Sequence, residues 1–435
     1  MPVLIVGGGL TGVSTALHLE ASYLLCERAR SLGGLARTGE RDGFHFDQTG
    51  HWLHLRDPGI TRFVQEAMGD ELVRVQRRAR VFKDGVLTPY PFQANLFGHA
   101  PRVVYECLLA FVRTRMERGN TEPRSFEEYI RFHFGQGIAD HFMIPYNEKL
   151  WGVHPREITS AWCSRYVPIP DLEQVVAGAV GHGPPELGYN ISFLYPRWGG
   201  IGSLAASLAG RVAPEAVRLG AALESVDPSR RIAVVAGEPV QYRALVSSIP
   251  LPELVKRLVD PPDEVVEAAG LLRATSVRYL SVAVRTTPPE DYHWIYVPEK
   301  RLPFYRVGVY SNAMPSMAPP GCSSLYVELA SRDTGRAREE VLAEAIPALV
   351  EARALRAAED VVFAELSQID HAYVVFDEHY ERALGRIHPY LERHGIFSRG
   401  RYGSWVYNAM EDSLIAGREV ARTVDRLLAC DVGTP

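Results

Sequence analysis

The feature that most constrains this chain is a glycine turn close to its start. The apolar run Val3 to Val6 breaks into Gly7-Gly8-Gly9-Leu10-Thr11-Gly12, continues as an amphipathic stretch to about Ala21, and meets a second apolar run, Tyr23 to Glu27. Strand, turn, helix and strand in this order make a βαβ unit, which commits the chain to a parallel sheet. Gly7, Gly9 and Gly12 are the glycines of a Gly-x-Gly-x-x-Gly turn, whose tasks are a tight bend, close approach of backbone to a pyrophosphate, and helix-on-strand packing. Glu27, twenty residues beyond Gly7 at the end of the second strand, is placed to accept hydrogen bonds from a ribose diol. The pair predicts a dinucleotide site; a glycine-rich turn beside an ordinary strand-end glutamate is the plainer alternative.

At 435 residues the chain exceeds one hydrophobic core and is expected to form two or three packed units. Its net charge of −5 offers no general attraction to nucleic acid or anionic lipid, and no local basic patch is dense enough to supply one. Lys83, Lys149, Lys256 and Lys300 are the only lysines among 47 basic residues, so a single arginine carries little weight here. The five cysteines are odd in number and scattered without CxxC spacing, which argues against a disulfide framework and a structural metal and for a reducing cytoplasm. The first apolar run lacks a basic lead-in and is too short for a signal peptide, and no run approaches the ~20 residues of a membrane helix.

Further along, Pro101 to Gly137 takes on helical periodicity, with Val103, Leu108, Leu109 and Val112 expected on one face. Gly178 to Asn190 (GAVGHGPPELGYN) reads as a long mobile loop. A second glycine turn, Trp198 to Ser203, precedes a helix and short strands ending in Ala244 to Pro250. Alternation in Arg278 to Arg285 and in Ser323 to Ala330 (SSLYVELA) predicts a second, mainly antiparallel sheet. The last helix is expected to bury Val420, Val424, Leu427 and Leu428.

Gly33-Gly34 and Arg37 follow Glu27 directly and lead into GFHFDQTGH. This block resembles the extended FAD signature of the amine oxidase and UDP-galactopyranose mutase superfamily, which favours FAD over NAD. The segments TPYPFQAN (Thr88 to Asn95), MIPYNEKLWGVHP (Met143 to Pro155), LPFYRVGVYSN (Leu302 to Asn312), IDHAY (Ile369 to Tyr373) and FSRGRYGSWVYN (Phe397 to Asn408) resemble UDP-galactopyranose mutases of the eukaryotic type. The likeness runs from about Val3 to Leu427. It implies an α/β fold with a Rossmann-like FAD-binding domain (1–70, 198–265 and 395–435). It also implies an inserted helical domain (97–175) and a mainly antiparallel substrate-binding sheet domain (71–96, 176–197 and 266–394).

By itself, PYPFQ would make a rigid aromatic lip able to stack a base and read its edge; an aromatic turn without a ligand is the alternative. The resemblance implies that Tyr90, Phe92 and Gln93 hold uracil and that Asn147 and Trp151 surround the uridine. It further implies that Arg306, Tyr296, Tyr373 and Tyr407 converge on the pyrophosphate, where the planar fork of arginine can engage two phosphate oxygens. Trp294 joins this substrate side, and Asn190 matches a sugar contact. Gly50, His51, Gly199 and Gly200 match loops that pass close to the flavin, while Arg401 and Asp412 are implied at FAD. One position departs from the family: its second arginine aligns with Tyr166, although Arg165 is adjacent.

No Ser-His-Asp order, HExxH or paired-carboxylate motif stands out, as fits a reaction in which the cofactor is the nucleophile. The implied activity is that of an isomerase interconverting UDP-galactopyranose and UDP-galactofuranose. In the family, N5 of reduced FAD attacks the anomeric carbon, UDP leaves, and the sugar ring opens and recloses. His51, Arg306 and Asn190 are the implied catalytic set, NAD(P)H is a candidate reductant, and the Gly/Pro loop would exclude water by closing. An FAD-dependent oxidase or desaturase of the amine oxidase and protoporphyrinogen oxidase type would instead need an apolar cavity without the lip and the arginine-tyrosine set. A catalytically silent flavoprotein that binds a sugar nucleotide is the third reading, supported by Tyr166.

Overall fold

Val3–Val6, buried along its whole length, is the middle strand of a five-stranded, wholly parallel sheet in a computed structural model. The model describes residues 1–117, 119, 122–167, 169–183, 191–330 and 335–432. The strand order is Ile396–Ser398, Leu245–Ser247, Val3–Val6, Tyr23–Glu27, Val217–Leu219, so segments from both ends and the middle of the chain build one sheet. The helix Leu10–His18 follows the glycine turn and stops short of Ala21, because Leu19 turns to extended backbone. It packs against the long last helix, Met410–Val432, closely enough that Ser14 Oγ donates to the carbonyl of Leu414 at 2.7 Å.

The second sheet has seven strands, in the order Val361–Val374, Ala274–Val284, Ser323–Leu329, Phe304–Val309, Trp294–Tyr296, Ala79–Lys83, Val86–Pro89. All neighbours are antiparallel except the parallel pair Trp294–Tyr296 and Ala79–Lys83. Its strands alternate as a two-faced sheet must. Leu280, Val282, Ile295, Val307, Leu325 and Val327 pack on one face against Val341, Ala345 and Leu349 of the helix Arg338–Glu351. Trp294, Tyr296, Arg306, Tyr326 and Glu328 occupy the other face, which borders a cleft. Tyr326 can lie flat there because its neighbour Gly308 has no side chain; a Cβ would meet the ring at 1.9 Å.

The helices Pro101–Met116, Phe126–Ile138, Ile144–Trp151 and Leu172–Ala179 form a separate core around Phe92, Phe111, Phe134 and Trp151. Ser125 and Glu128 start the second of them as a capping box. The buried stripe of the first is Val103, Cys107 and Phe111, at strict four-residue spacing. Leu108, Leu109 and Val112 lie only partly buried on its flanks, a correction to the expected face. Likewise Val420, Val424 and Leu428 are buried on the last helix while Leu427 is exposed. The helix Leu172–Ala179 runs into the segment expected as a loop, and residues 184–190 lie outside the described ones.

The helical core is pinned to the second sheet by a buried lysine. Lys149 donates its ammonium hydrogens to the carbonyls of Val297, Glu299 and Phe304, on the connection between two strands of the cleft wall. Among the described residues no helix is long and apolar enough to cross a membrane.

Candidate functional site

A cleft of about 950 Å³ runs from the glycine turn, between the two sheets, to the helical core. At its first end, Gly7 bends the chain with φ of +97°, where a Cβ would strike Ser248 Oγ at 2.5 Å. Gly12 sits inside the helix and does not line the cleft. A Cβ there would lie 1.9 Å from the carbonyl oxygen of Gly7, so its task is to let helix and turn meet. The helix Leu10–His18 begins without a side-chain cap and without an acidic residue in its first turn, an N-terminus suited to an anion. Gly33 and Gly34, both at positive φ, fold a second turn onto the first. Gly33 N donates to Gly8 O at 2.8 Å, and a Cβ on Gly34 would stand 2.9 Å from Gly9 Cα. Arg37 caps this second turn through Nε to Gly34 O at 2.6 Å.

Glu27 is held by the N–H groups of Gly8 and Ala29, each at 2.7 Å, one on each oxygen. Both oxygens keep acceptor capacity for a diol, and the carboxylate lines the cleft. Asp412, in the first turn of the last helix, also lines it and accepts from Ala409 N at 2.8 Å. Two interlocked glycine turns, an uncapped helix start and a fixed carboxylate fit the diphosphate and ribose of a dinucleotide such as FAD. Any side chain at Gly34 would close the cradle.

In the middle of the cleft lie Gly50, His51 and Trp52. Tyr310 donates to the carbonyls of Asp47 and Thr49 at 3.0 and 2.8 Å, fixing the approach to this loop. A Cβ on Gly50 would meet Tyr326 Oη at 2.5 Å, so backbone and ring come together only at glycine. Burial pushes the His51 imidazole down to about 4; the charges of Arg401 and Arg306 act the same way, and the Thr49 and Gln48 carbonyls oppose them. His51 is therefore neutral near pH 7.

Gly199 and Gly200 do not line the cleft; they form a turn behind it. A Cβ on Gly200 would meet Thr38 Oγ1 at 2.5 Å and Asp47 Oδ1 at 2.6 Å. Asp47 is the knot of this region: Thr38 Oγ1, Tyr195 Oη and Ile201 N donate to it at 2.6, 2.5 and 3.1 Å. Burial raises its carboxyl to about 7 against those three hydrogen bonds. The alternation in FHFD gave no sign of this role.

At the far end, Tyr90, Trp294, Tyr296, Arg306, Tyr373 and Tyr407 all face the cleft. Tyr90 and Tyr296 lie 4.8 Å apart, centroid to centroid, and Tyr373 stacks on Tyr407 at 5.9 Å. Burial raises the hydroxyl pKa of Tyr90, Tyr296 and Tyr373, so each stays protonated and able to donate. Arg401 bridges the two ends. It donates to the carbonyls of Asn408 and Ala372, each at 2.6 Å, and lies 5.0 Å over the Tyr407 ring.

Four residues expected at the ligand surface stand one layer behind it. Phe92 is fully buried and stacked on Phe142 at 5.1 Å, and Gln93 is buried beside it. Trp151 donates to Asn147 Oδ1 at 3.2 Å and supports Tyr373 edge-on at 5.5 Å, while Asn147 Nδ2 donates to Met143 O. They shape the wall that Tyr90 and Tyr373 present. Asn190 lies outside the described residues, as do the side chains of Arg165 and Tyr166 on the short helix Cys163–Tyr166.

Among the charged residues of the cleft that sequence reasoning missed, Glu328 and Arg77 stand beside the predicted tyrosines. Glu328, buried in the strand Ser323–Leu329, accepts from Arg306 Nε at 2.8 Å and Nη2 at 2.6 Å, a two-pronged pair that also places Nη2 3.3 Å from Tyr373 Oη. A charge in an otherwise apolar strand was the available signal. Arg77, almost wholly buried, holds its guanidinium 5.2 Å over the Tyr90 ring.

The chain matches, over residues 10–424, the family described as flavin containing amine oxidoreductase. A reduced UDP-galactopyranose mutase structure superposes with a TM-score of 0.92 at 28% identity, covering 98% of this chain and 94% of that one. The same fold occurs in a protein described as a putative protoporphyrinogen oxidase from Exiguobacterium sp. 255-15 (TM-score 0.75, 14% identity, 98% of each chain). It recurs in putrescine oxidase bound to putrescine (TM-score 0.70, 17% identity, 97% of this chain and 98% of that one).

Proposed function

This chain belongs to the flavin-containing amine oxidoreductase family, and from that premise we propose that it is a UDP-sugar mutase that interconverts UDP-galactopyranose and UDP-galactofuranose or a close pair. The observation that carries the reading is the far wall of the cleft. Arg306, Tyr296, Tyr373 and Tyr407, from segments far apart in sequence, line it together and offer a guanidinium and hydroxyls, the donors a diphosphate requires. A neutral or apolar oxidase substrate would bring no negative charge to this polar wall.

Bound FAD, in its reduced state, would supply the nucleophilic nitrogen for the anomeric carbon, with NAD(P)H a candidate reductant. Gly7, Gly9, Gly33, Gly34 and Arg37 hold its diphosphate in this reading, Glu27 its ribose, and Arg401 and Asp412 the remainder, with Gly12 packing the helix. Tyr90 stacks the uracil from a position set by Phe92 and Gln93. Arg306 and Tyr373 receive the negative charge of the departing UDP, aligned in advance by Glu328 and Trp151. Neutral His51, beside backbone held at Gly50, adds no positive charge of its own at the sugar end. Asn190, Arg165 and Tyr166 are assigned to the sugar end on the resemblance alone. A cytoplasmic setting accords with the unbridged thiols Cys26, Cys107, Cys163 and Cys322.

The test is to incubate dithionite-reduced protein with UDP-galactofuranose and follow UDP-galactopyranose by chromatography. Conversion that requires reduction is the expected result. Absence of conversion, or equal turnover by oxidised protein under exclusion of reductant, refutes the reading.

A further inference from the structure

The strand Phe304–Val309 breaks its own alternation once. Phe304 pairs with Leu329 and Arg306 with Glu328, so two steps on one strand answer to one step on the other, and Tyr305 is the extra residue of a β-bulge. Phe304 and Val307 belong to the core under the helix Arg338–Glu351, whereas Tyr305 and Arg306, adjacent in sequence, both line the cleft. An unbroken strand would send one of these two to each face. Tyr305 is 1% exposed and packs into the helical core, with its ring edge-on to Tyr146 at 6.2 Å. Its hydroxyl oxygen is buried and has no hydrogen-bond partner among the described residues. Packing alone does not account for that oxygen, since a phenylalanine would fill the same space without burying an unpaired polar group. Burial raises the hydroxyl pKa well above the ordinary tyrosine value, and Glu328 adds to the rise while Arg306 opposes it, so the group stays protonated and able to donate. The same arginine and glutamate act on Tyr373, whose hydroxyl lies 3.3 Å from Arg306 Nη2.

We infer that Tyr305 is a binding residue for the nucleoside-side phosphate of the sugar nucleotide, its hydroxyl donating to an oxygen of that phosphate beside Arg306. The inference rests on the UDP-sugar reading and deepens it. A phosphate suits the place because Arg306 turns Nε and Nη2 to Glu328, and a neighbouring hydroxyl adds a donor that this carboxylate does not occupy. The nucleoside side follows from packing: Tyr305 shares its core with Phe92 and Trp151, the residues behind the uracil end of the cleft. The bulge is the device that delivers the contact, since it turns two consecutive side chains, one cationic and one neutral, towards a single anion.

The variant is Tyr305→Phe, which removes the oxygen and keeps the ring, and the probes are uridine, UMP and UDP, titrated into oxidised holoenzyme by isothermal calorimetry. The dissociation constants of UMP and UDP are expected to rise at least about tenfold, the loss of one hydrogen bond to a charged group, with that of uridine within about twofold. The melting temperature of the ligand-free variant should equal or exceed that of the wild type, because the oxygen removed has no partner there. A lower melting temperature overturns the inference by showing that the hydroxyl serves the fold. Unchanged UDP binding overturns it, and so does an equal loss for uridine, which would put the contact on the nucleoside. A loss confined to UDP also overturns it, since the contact would then be to the outer phosphate. Failure of the unmodified protein to bind UMP or UDP sinks the UDP-sugar reading itself, whereas failure of the Tyr305 assignment alone leaves wild-type binding intact.

Discussion

Replacing Glu328 by glutamine should make the protein less stable when empty and more responsive to UDP. The carboxylate accepts two charge-assisted hydrogen bonds from Arg306, at 2.8 and 2.6 Å, in a site where Glu328 is buried and the arginine side chain is 21% exposed. Breaking a buried pair by removing one partner costs roughly 3–5 kcal/mol, and the partial exposure of Arg306 argues for the lower end. In Glu328→Gln the amide would keep one acceptor oxygen but turn an NH₂ towards the other guanidinium nitrogen. With an unfolding entropy of about 2.1 cal/mol/K per residue over 435 residues, ~3 kcal/mol lowers the melting temperature by about 3 °C. UDP supplies the missing negative charge to Arg306, so its affinity should rise about tenfold, or ~1.4 kcal/mol. Thermal melts of oxidised holoenzyme with and without saturating UDP read both effects, since a ligand that binds only the folded state stabilises in proportion to the logarithm of its excess over Kd. A variant that melts with the wild type when empty, or gains no more from UDP than the wild type does, would refute the claim that Glu328 holds Arg306 in reserve.

Arg306→Ala should lower kcat as well as raise KM, with Arg306→Lys recovering part of the loss and flavin content unchanged in both; steady-state kinetics and the flavin spectrum check this. Gly34→Ala puts a Cβ 2.9 Å from Gly9 Cα at φ of +61°, and the purified variant should carry less than a tenth of the wild-type FAD, measured by absorbance after heat release. For Asp47 the folded value of about 7 lies above the ordinary carboxylate value, so between about pH 4 and 7 the folded state keeps a proton that the unfolded chain has lost. Its contribution is therefore a fall in stability as pH rises through that window, and Asp47→Asn should flatten the fall in denaturant titrations at pH 5 and pH 8.

The dinucleotide end was readable because most requirements there are local, the contact of Gly7 with Ser248 excepted. Gly12 answers to the carbonyl of Gly7 and Gly34 to the backbone of Gly9, both within the first thirty-odd residues, and the helix and strand around them follow from short-range periodicity. The far wall was readable only as a resemblance: Tyr296, Tyr373 and Tyr407 meet through strand pairing and packing between segments distant in sequence. Depth was beyond reach. PYPFQ shows an aromatic lip, but which rings face the ligand depends on the helical core, which takes Phe92 inside and leaves Tyr90 at the surface. Glu328 stood in plain view in SSLYVELA, yet its meaning depends on a guanidinium one strand away. Asp47 and Arg77 were silent for the same reason, since a buried charge is defined by its neighbours.

The backbone register of the second sheet has a consequence for how this cleft can change. Tyr279, Glu328, Arg306, Tyr296 and Val81 are successive partners on five adjacent strands, one transverse row. Exchanging side chains along that row rewrites the chemistry at the far end of the cleft while every ladder hydrogen bond stays in place. Inserting or deleting one residue in any of these strands does the opposite, because a slip of one position turns that strand's share of the row to the face covered by the helix Arg338–Glu351. Relatives that acquired other substrates on this scaffold should therefore differ here by substitution and keep the strand lengths fixed, with length changes confined to the connections between strands.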